Sequence, residues 1–413
     1  MLDQQTSPQT NPRLRLLDFQ PVQQYGESMW LLRDPWQLGE RQLLFPAALA
    51  QMLPLCDGTR SPRQIQSALS EHLGVPVPFD IISEALAQLD AAYLLQNSRY
   101  EGRRQELLNV YRAQPYRPPA LAGLSYPAAP AELAALLRGY GDGDSAAVDE
   151  WRGHGVVSPH IDYPRGGPVY AQVWRRAAPA VLAADLVLIF GTDHYGGPAS
   201  ITLTPLPYAT PFGVLPTDGE LIDRLAEELG PEAAYAEELN HRQEHSIELS
   251  AVWLHHVFRE AGVAPCPMVP ILVGSFHHFI TTGSHPSGEP RFNRFLETLR
   301  RETAGRRVLA VGSVDLAHVG PAFGDIFGMD AERRSQLRVA DEALMRAVMA
   351  GDAADFYRRI AAVEDGNRIC GFSPLYLMLS LLGPTTGSRV AYQHCPADNH
   401  DTSLVSICGL LLD

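Results

Sequence analysis

Three short apolar runs in this chain each break off into a histidine. Val156-Val157 leads through Ser158-Pro159 to His160, residues 186–190 lead through Gly191-Thr192-Asp193 to His194, and residues 308–311 lead through Gly312-Ser313-Val314-Asp315-Leu316-Ala317 to His318. Runs of Val, Ile and Leu this short, closed by Gly or Pro, predict strands buried on both faces, the pattern of a parallel sheet covered by helices. In open sheets of that kind the reactive groups collect in the loops beyond the carboxyl ends of the strands. Three imidazoles delivered to one sheet edge therefore predict a metal or acid/base site.

Further strand-like runs at 201–203, 268–273, 390–392 and 404–412 alternate with helical stretches such as 168–178 and 221–229. That alternation predicts an α/β layered fold from about Pro118 to the last residue. Residues 112–131 hold five prolines among small residues, and we place a Pro-rich linker at 112–117 between this domain and residues 1–111. Of the fourteen histidines only His72 precedes position 150, so imidazole chemistry belongs to the second domain.

The first domain has helical periodicity. Leu49, Met52 and Leu53 share one face of an expected first helix, and Asp57-Gly58-Thr59 turns the chain. Ser61-Pro62 supplies an N-cap and an N1 proline for a helix with Ile65, Ala68 and Leu69 inward, and a third helix carries Ile82, Leu86 and Leu89. Short helices flanked by β-prone residues predict a small winged-helix domain.

The formal charge of −14 disfavours nucleic acid and anionic membranes as partners, because both repel an acidic surface. The five cysteines are scattered without a repeated spacing, a poor disulfide framework, and no run approaches the length of a membrane span. The polar lead, residues 1–13, lacks the apolar stretch of a signal peptide, so the expected location is the cytoplasm.

Several residues stand out for chemistry. His160 and His194, each in a turn at a strand end, can offer one ring nitrogen to a metal while the other is held by backbone or carboxylate; Asp162 and Asp193 are the nearby acids, and Gly166-Gly167 and Gly196-Gly197 lend backbone freedom. Cys370 precedes an apolar helix, where the dipole favours a thiolate. Two imidazoles and a thiolate suit Fe(II), Cu(I) or Zn(II). In Glu244-His245-Ser246-Ile247-Glu248 the three-residue spacing makes His245 and Glu248 neighbours on a helix, with the carboxylate expected to orient the ring. Asp315 and His318 repeat that spacing as an acid/base pair or as support for a ligand. His255-His256 and His277-His278 read as surface doublets.

Two resemblances extend this reading. The run Leu55-Cys56-Asp57-Gly58-Thr59-Arg60-Ser61-Pro62-Arg63-Gln64-Ile65, with residues 86–95, resembles the PqqD-like winged helix, which holds the leader of a precursor peptide. In the second domain Ser158-Pro159-His160-Ile161-Asp162-Tyr163, Ile189-Phe190-Gly191-Thr192-Asp193-His194, Glu244-His245-Ser246-Ile247-Glu248, residues 269–274, Ser313-Val314-Asp315-Leu316-Ala317-His318 and Ile369-Cys370-Gly371 stand in the order seen in the MEMO family, protein B of the AmmeMemoRadiSam system. Tyr195 follows His194 where many members carry a second histidine.

The MEMO resemblance implies a fold like that of class III extradiol dioxygenases, with His160, His194 and Cys370 as metal ligands and His245, Asp315 and His318 as catalytic pocket residues. It implies a metal-dependent oxidoreductase, Fe(II) first and Cu(I) or Zn(II) as other occupants, acting on a small aromatic molecule or on a peptide delivered by the N-terminal domain beside a radical-SAM partner system. The alternative is a non-catalytic module that binds peptide or phosphopeptide in a retained metal pocket. A third reading makes Cys370 a hydrolytic nucleophile with His245 or His318 as base.

Overall fold

The computed structural model describes residues 11–24, 26–39, 41–141 and 151–413; the polar lead at 1–10 lies outside the described residues. The chain divides into two compact units, Met1–Ala113 and Gln114–Asp413.

In the first unit, β1 (Asp18–Gln24), β2 (Glu27–Arg33) and β3 (Leu43–Pro46) form an antiparallel sheet in that order. The expected first helix is only a turn, Ala47–Ala50, followed by a 3-10 turn at Leu53–Leu55. Met52 and Leu53 are buried all the same, because the core needs their side chains whatever the backbone does. The helix Pro62–Leu73 starts at Ser61, whose side chain accepts from the Gln64 N–H while the Gln64 side chain accepts from the Ser61 N–H. That reciprocal cap satisfies two donors a helix end leaves open. Ile65, Leu69, Ile82 and Leu89 close the core, and the helices Phe79–Ala91 and Ser98–Arg112 complete the unit.

The second unit is built on an eight-stranded mixed sheet. Its strands are β4 (Gly155–Ser158), β5 (Leu186–Thr192), β6 (Ile201–Leu203), β9 (Met268–Val273), β10 (Val308–Ser313), β11 (His318–Val319), β12 (Gly387–Pro396) and β13 (Leu404–Leu412); β7 (Tyr208–Thr210) and β8 (Gly213–Leu215) form a separate hairpin. The order is β11-β13-β4-β10-β5-β9-β6, with β12 on β13. The four central strands are parallel, and antiparallel neighbours flank them on both sides.

Strict alternation explains why β5 is apolar from Leu186 to Phe190. Leu186, Leu188 and Phe190 enter one core with the helices Pro290–Glu302 and Phe372–Leu382, while Val187 and Ile189 enter another with the helices Tyr163–Ala183 and His245–Ala261. Burying an aliphatic side chain is worth roughly 1.5–3 kcal/mol, so a one-residue slip that exchanged the two faces is strongly disfavoured.

The three histidine-bearing runs are β4, β5 and β10, and they are adjacent. Ser313 of β10 lies level with Ser158 of β4 and with Gly191 of β5. Their exit loops therefore leave the sheet side by side at one height. Arg117, placed in the linker by composition, is fully buried in the second unit, so the ordered domain begins before it. No helix among the described residues is long and apolar enough to cross a membrane.

Candidate metal centre

His160 is fixed from two sides. Its Nδ1 lies 2.9 Å from the Ser313 carbonyl oxygen, and its backbone N–H donates over 2.9 Å to Asp315 Oδ1, which also takes the Ile161 N–H. A carbonyl can only accept, so Nδ1 carries the hydrogen and Nε2 is left with a lone pair. Burial lowers the tendency of this ring to protonate, and the adjacent thiolate only partly restores it.

His194 and His245 share one carboxylate. Glu244, buried at the start of the helix His245–Ala261, accepts from His194 Nδ1 at 3.0 Å and lies 3.1 Å from His245 Nδ1. It also takes the backbone N–H groups of His194 and Ser246. Burial alone opposes its charge, but the two imidazoles outweigh burial and hold the carboxyl well below its ordinary range. Gly191 makes this approach possible: a Cβ there would stand 2.7 Å from the Ile247 side chain and from Ser246 Oγ.

Cys370 closes the group. Its Sγ lies 3.1 Å from His160 Nε2 and 3.4 Å from His194 Nε2. The loop that carries it is stitched to the loop after β10, Cys370 N–H to the Leu316 carbonyl at 3.0 Å and Gly371 N–H to that of Asp315 at 2.8 Å. Burial raises a thiol's pKa, yet His160 and His194 together bring this one down to about 5. The other four cysteines are pushed upward by burial, so Cys370 is the one thiolate among them near neutral pH.

One nitrogen from each of His160, His194 and His245 lies within 4.8 Å of the others. A single ion bound at about 2.1 Å to nitrogen and about 2.3 Å to sulfur spans separations of this size. With Nδ1 anchored on oxygen, His160 and His194 turn Nε2 toward Cys370 Sγ, and release of the proton held between ring and sulfur leaves the nitrogen and thiolate donors that such an ion requires.

The structure brings together His160, His194, Cys370 and His245, and sets His318 and Asp315 on the wall of the same cavity, about 600 Å³ in volume. His318 Nδ1 faces the Leu316 carbonyl at 3.2 Å and its ring packs edge-on against Phe323, which leaves Nε2 as an acceptor. Burial holds His318 below the ordinary histidine range. Asp315 is a positioning group beneath His160 more than a partner of His318, since Oδ1 is taken up by the two backbone donors.

Other expectations need correction. Glu248 does not orient His245: it is buried against Arg117 and accepts from Tyr126 and from the N–H groups of Ala120 and Leu121. Glu244, one residue before His245, takes that role because an N-cap side chain folds back over the first turn. Asp162 caps the helix Tyr163–Ala183 and pairs with Arg165, and Asp193 holds Asn240 and the Tyr195 N–H, so neither supports a ligand ring. Gly166 and Gly167 lie inside a helix, where they permit close packing: a Cβ on Gly166 would stand 2.5 Å from Ile161 Cγ2. His255 and His256 are buried, not a surface doublet.

Comparison with known proteins follows the same span. The family model for Memo-like protein matches residues 117–410. A MEMO1 family protein of Aquifex aeolicus is 27% identical over 325 residues, 79% of this chain and 80% of its own. One from Thermus thermophilus is 30% identical over 275 residues, 64% of this chain and 74% of its own, and one from Methanosarcina barkeri is 28% identical over 297 residues, 70% and 96%. The Aquifex alignment is longer than the family span and so includes part of the N-terminal unit. A match from Arg117 to Leu410, across every strand that carries the site, means that this chain belongs to the Memo-like protein family.

Proposed function

We propose that the pocket is a metal centre held by His160, His194 and Cys370, with His245 beside them, and that the chain is a metal-dependent oxidoreductase in the manner of class III extradiol dioxygenases. The observation that carries this reading is the shared polarity of the cluster: three imidazoles have Nδ1 anchored on oxygen, and two of them, His160 and His194, face Cys370 Sγ. Fe(II) is the favoured occupant, with Cu(I) and Zn(II) compatible with the same donors. Bound Fe(II) would supply electrons to O₂ and Lewis acidity toward a phenolic oxygen.

The chain's own groups do the rest. His318, neutral because burial disfavours its charge, offers Nε2 to receive a phenolic proton. Phe323, Leu249 and Ile161 give the cavity apolar walls suited to an aromatic ring. The Ser313 carbonyl and Glu244 keep the imidazoles from turning as the substrate enters, and Asp315 holds the backbone beneath His160.

The substrate is an aromatic molecule or a peptide. A peptide fits the PqqD-like reading of the N-terminal unit, in which three strands precede the helices. That unit carries an apolar groove of about 510 Å³ lined by Leu14, Phe19, Trp30 and Leu53. A radical-SAM partner belongs to the same reading, and the cytoplasm is its place.

Anaerobic purification with metal analysis is the test. A stoichiometric transition metal, lost in His160→Ala and Cys370→Ser, is expected together with O₂ uptake on phenolic probes. A metal-free preparation that takes up no added Fe(II), Cu(I) or Zn(II) would overturn it.

A further inference from the structure

We infer that Arg165 selects a carboxylate-bearing substrate at the mouth of this pocket. The inference rests on the reading of the cavity as a substrate site and deepens it. The sequence contains no lysine, so arginine is its only side chain with a fixed positive charge. Among the described residues lining the cavity, Arg165 is the single arginine.

Its placement is rigid. Asp162 caps the helix Tyr163–Ala183 through the Arg165 N–H and also accepts from Arg165 Nε at 2.7 Å and from Nη2. Nη1 donates to the Pro396 carbonyl at 3.2 Å, and the Arg165 carbonyl accepts from Gln393 Nε2 at 3.2 Å. Gly166 presses the turn that follows against Ile161. A side chain on this surface that served only as an exposed i,i+3 ion pair would not need its backbone and head group tied to β12.

A guanidinium has five N–H donors. Among the described residues three are engaged in these contacts, and one N–H on Nη1 and one on Nη2 are open to water or a ligand. Two such donors on neighbouring nitrogens match the two oxygens of a carboxylate. Helices of 21 and 17 residues begin at Tyr163 and His245 beside the cavity and add positive ends there, while Asp315, Glu244 and Cys370 lie at its deep end, so the mouth at Arg165 is where an acid group is received. Asp162 is neutralised by Arg165 itself. An aromatic ring between Phe323 and Leu249 with an acid group toward Arg165 uses both the apolar and the charged part of the lining.

The acid could belong to a free aromatic carboxylic acid or to a peptide ending in an aromatic residue, and the experiment separates them. Binding of 4-hydroxybenzoate and its neutral isostere 4-hydroxybenzamide, and of glycyl-tyrosine and glycyl-tyrosine amide, is measured by calorimetry on the metal-free protein. At least one acid is expected to bind about tenfold tighter than its amide, and the pair that discriminates names the source. In Arg165→Met the preference is expected to fall to within about twofold. Arg165→Met with Asp162→Asn serves as the second variant, so that an unpaired aspartate is not the cause. Equal binding of acid and amide by the wild type, or a preference that survives both variants, overturns the inference. Because the readout is binding without metal, failure of oxidation leaves it intact, and loss of acid preference in an active enzyme defeats it alone.

Discussion

His160 Nε2 and Cys370 Sγ are 3.1 Å apart although 210 positions separate them in the chain. The contact exists because the Cys370 loop is hydrogen-bonded to the loop after β10, and β10 lies beside β4, which delivers His160. The thiolate is stabilised by His160 and His194 together.

In metal-free protein at neutral pH, iodoacetamide is expected to modify Cys370 ahead of the other four cysteines. Its thiolate persists down to about pH 5, so the rate should stay level from pH 8 to 6 and fall below that. Cys56, Cys266 and Cys395, at about 11 or 12, should react only in strong base. Peptide mapping by mass spectrometry checks the order, and preloading with Fe(II) should protect Cys370.

Glu244→Gln should weaken metal binding by about 10–100-fold, because one amide cannot accept from two Nδ1 donors as the carboxylate does. Competition against a chelator gives the ratio. An unchanged affinity would remove Glu244 from the site.

Glu248→Ala should cost about 3–5 kcal/mol of stability, since it strands the buried Arg117 guanidinium without its counter-charge. Replacing both, Arg117→Met with Glu248→Leu, should cost less than the single change. Urea denaturation measures the difference. Metal content of the folded Glu248→Ala fraction should match the wild type, separating this carboxylate from Glu244.

Stability should fall as pH rises from about 4 to 6 through Asp341. Burial raises its carboxyl to about 6, while Tyr392 donates to it over 2.7 Å and lowers it only in part. In the unfolded chain the group ionises near pH 4, so its favourable contribution is complete below that pH and is lost as pH passes through 6. The change is about 3 kcal/mol. Asp341→Asn should flatten the pH dependence in that window, as read by denaturant midpoints.

Local features of the chain were legible because they depend on neighbours in sequence. Ser61-Pro62 with Gln64 forms its cap whatever lies elsewhere, and the alternation in 186–190 buries both faces of β5. The His245–Glu248 spacing misled, because a helix places Glu248 within reach of His245 without deciding what else competes for it. Arg117, 131 positions away, is buried and has stronger need of the carboxylate. Likewise His255-His256 looked like a polar surface pair, but both are buried on the helix His245–Ala261.

The order of strand-end histidines, by itself, determined that reactive groups gather at one edge of a parallel sheet, since only that edge receives the loops after β4, β5 and β10. Which groups meet there was decided by tertiary structure. Strand order puts β10 between β4 and β5, cross-loop hydrogen bonds draw in Cys370, and a buried Glu244 turns His194 and His245 inward together. Convergence of donors is a property of register and loop packing, which act over distances that no spacing along the chain encodes.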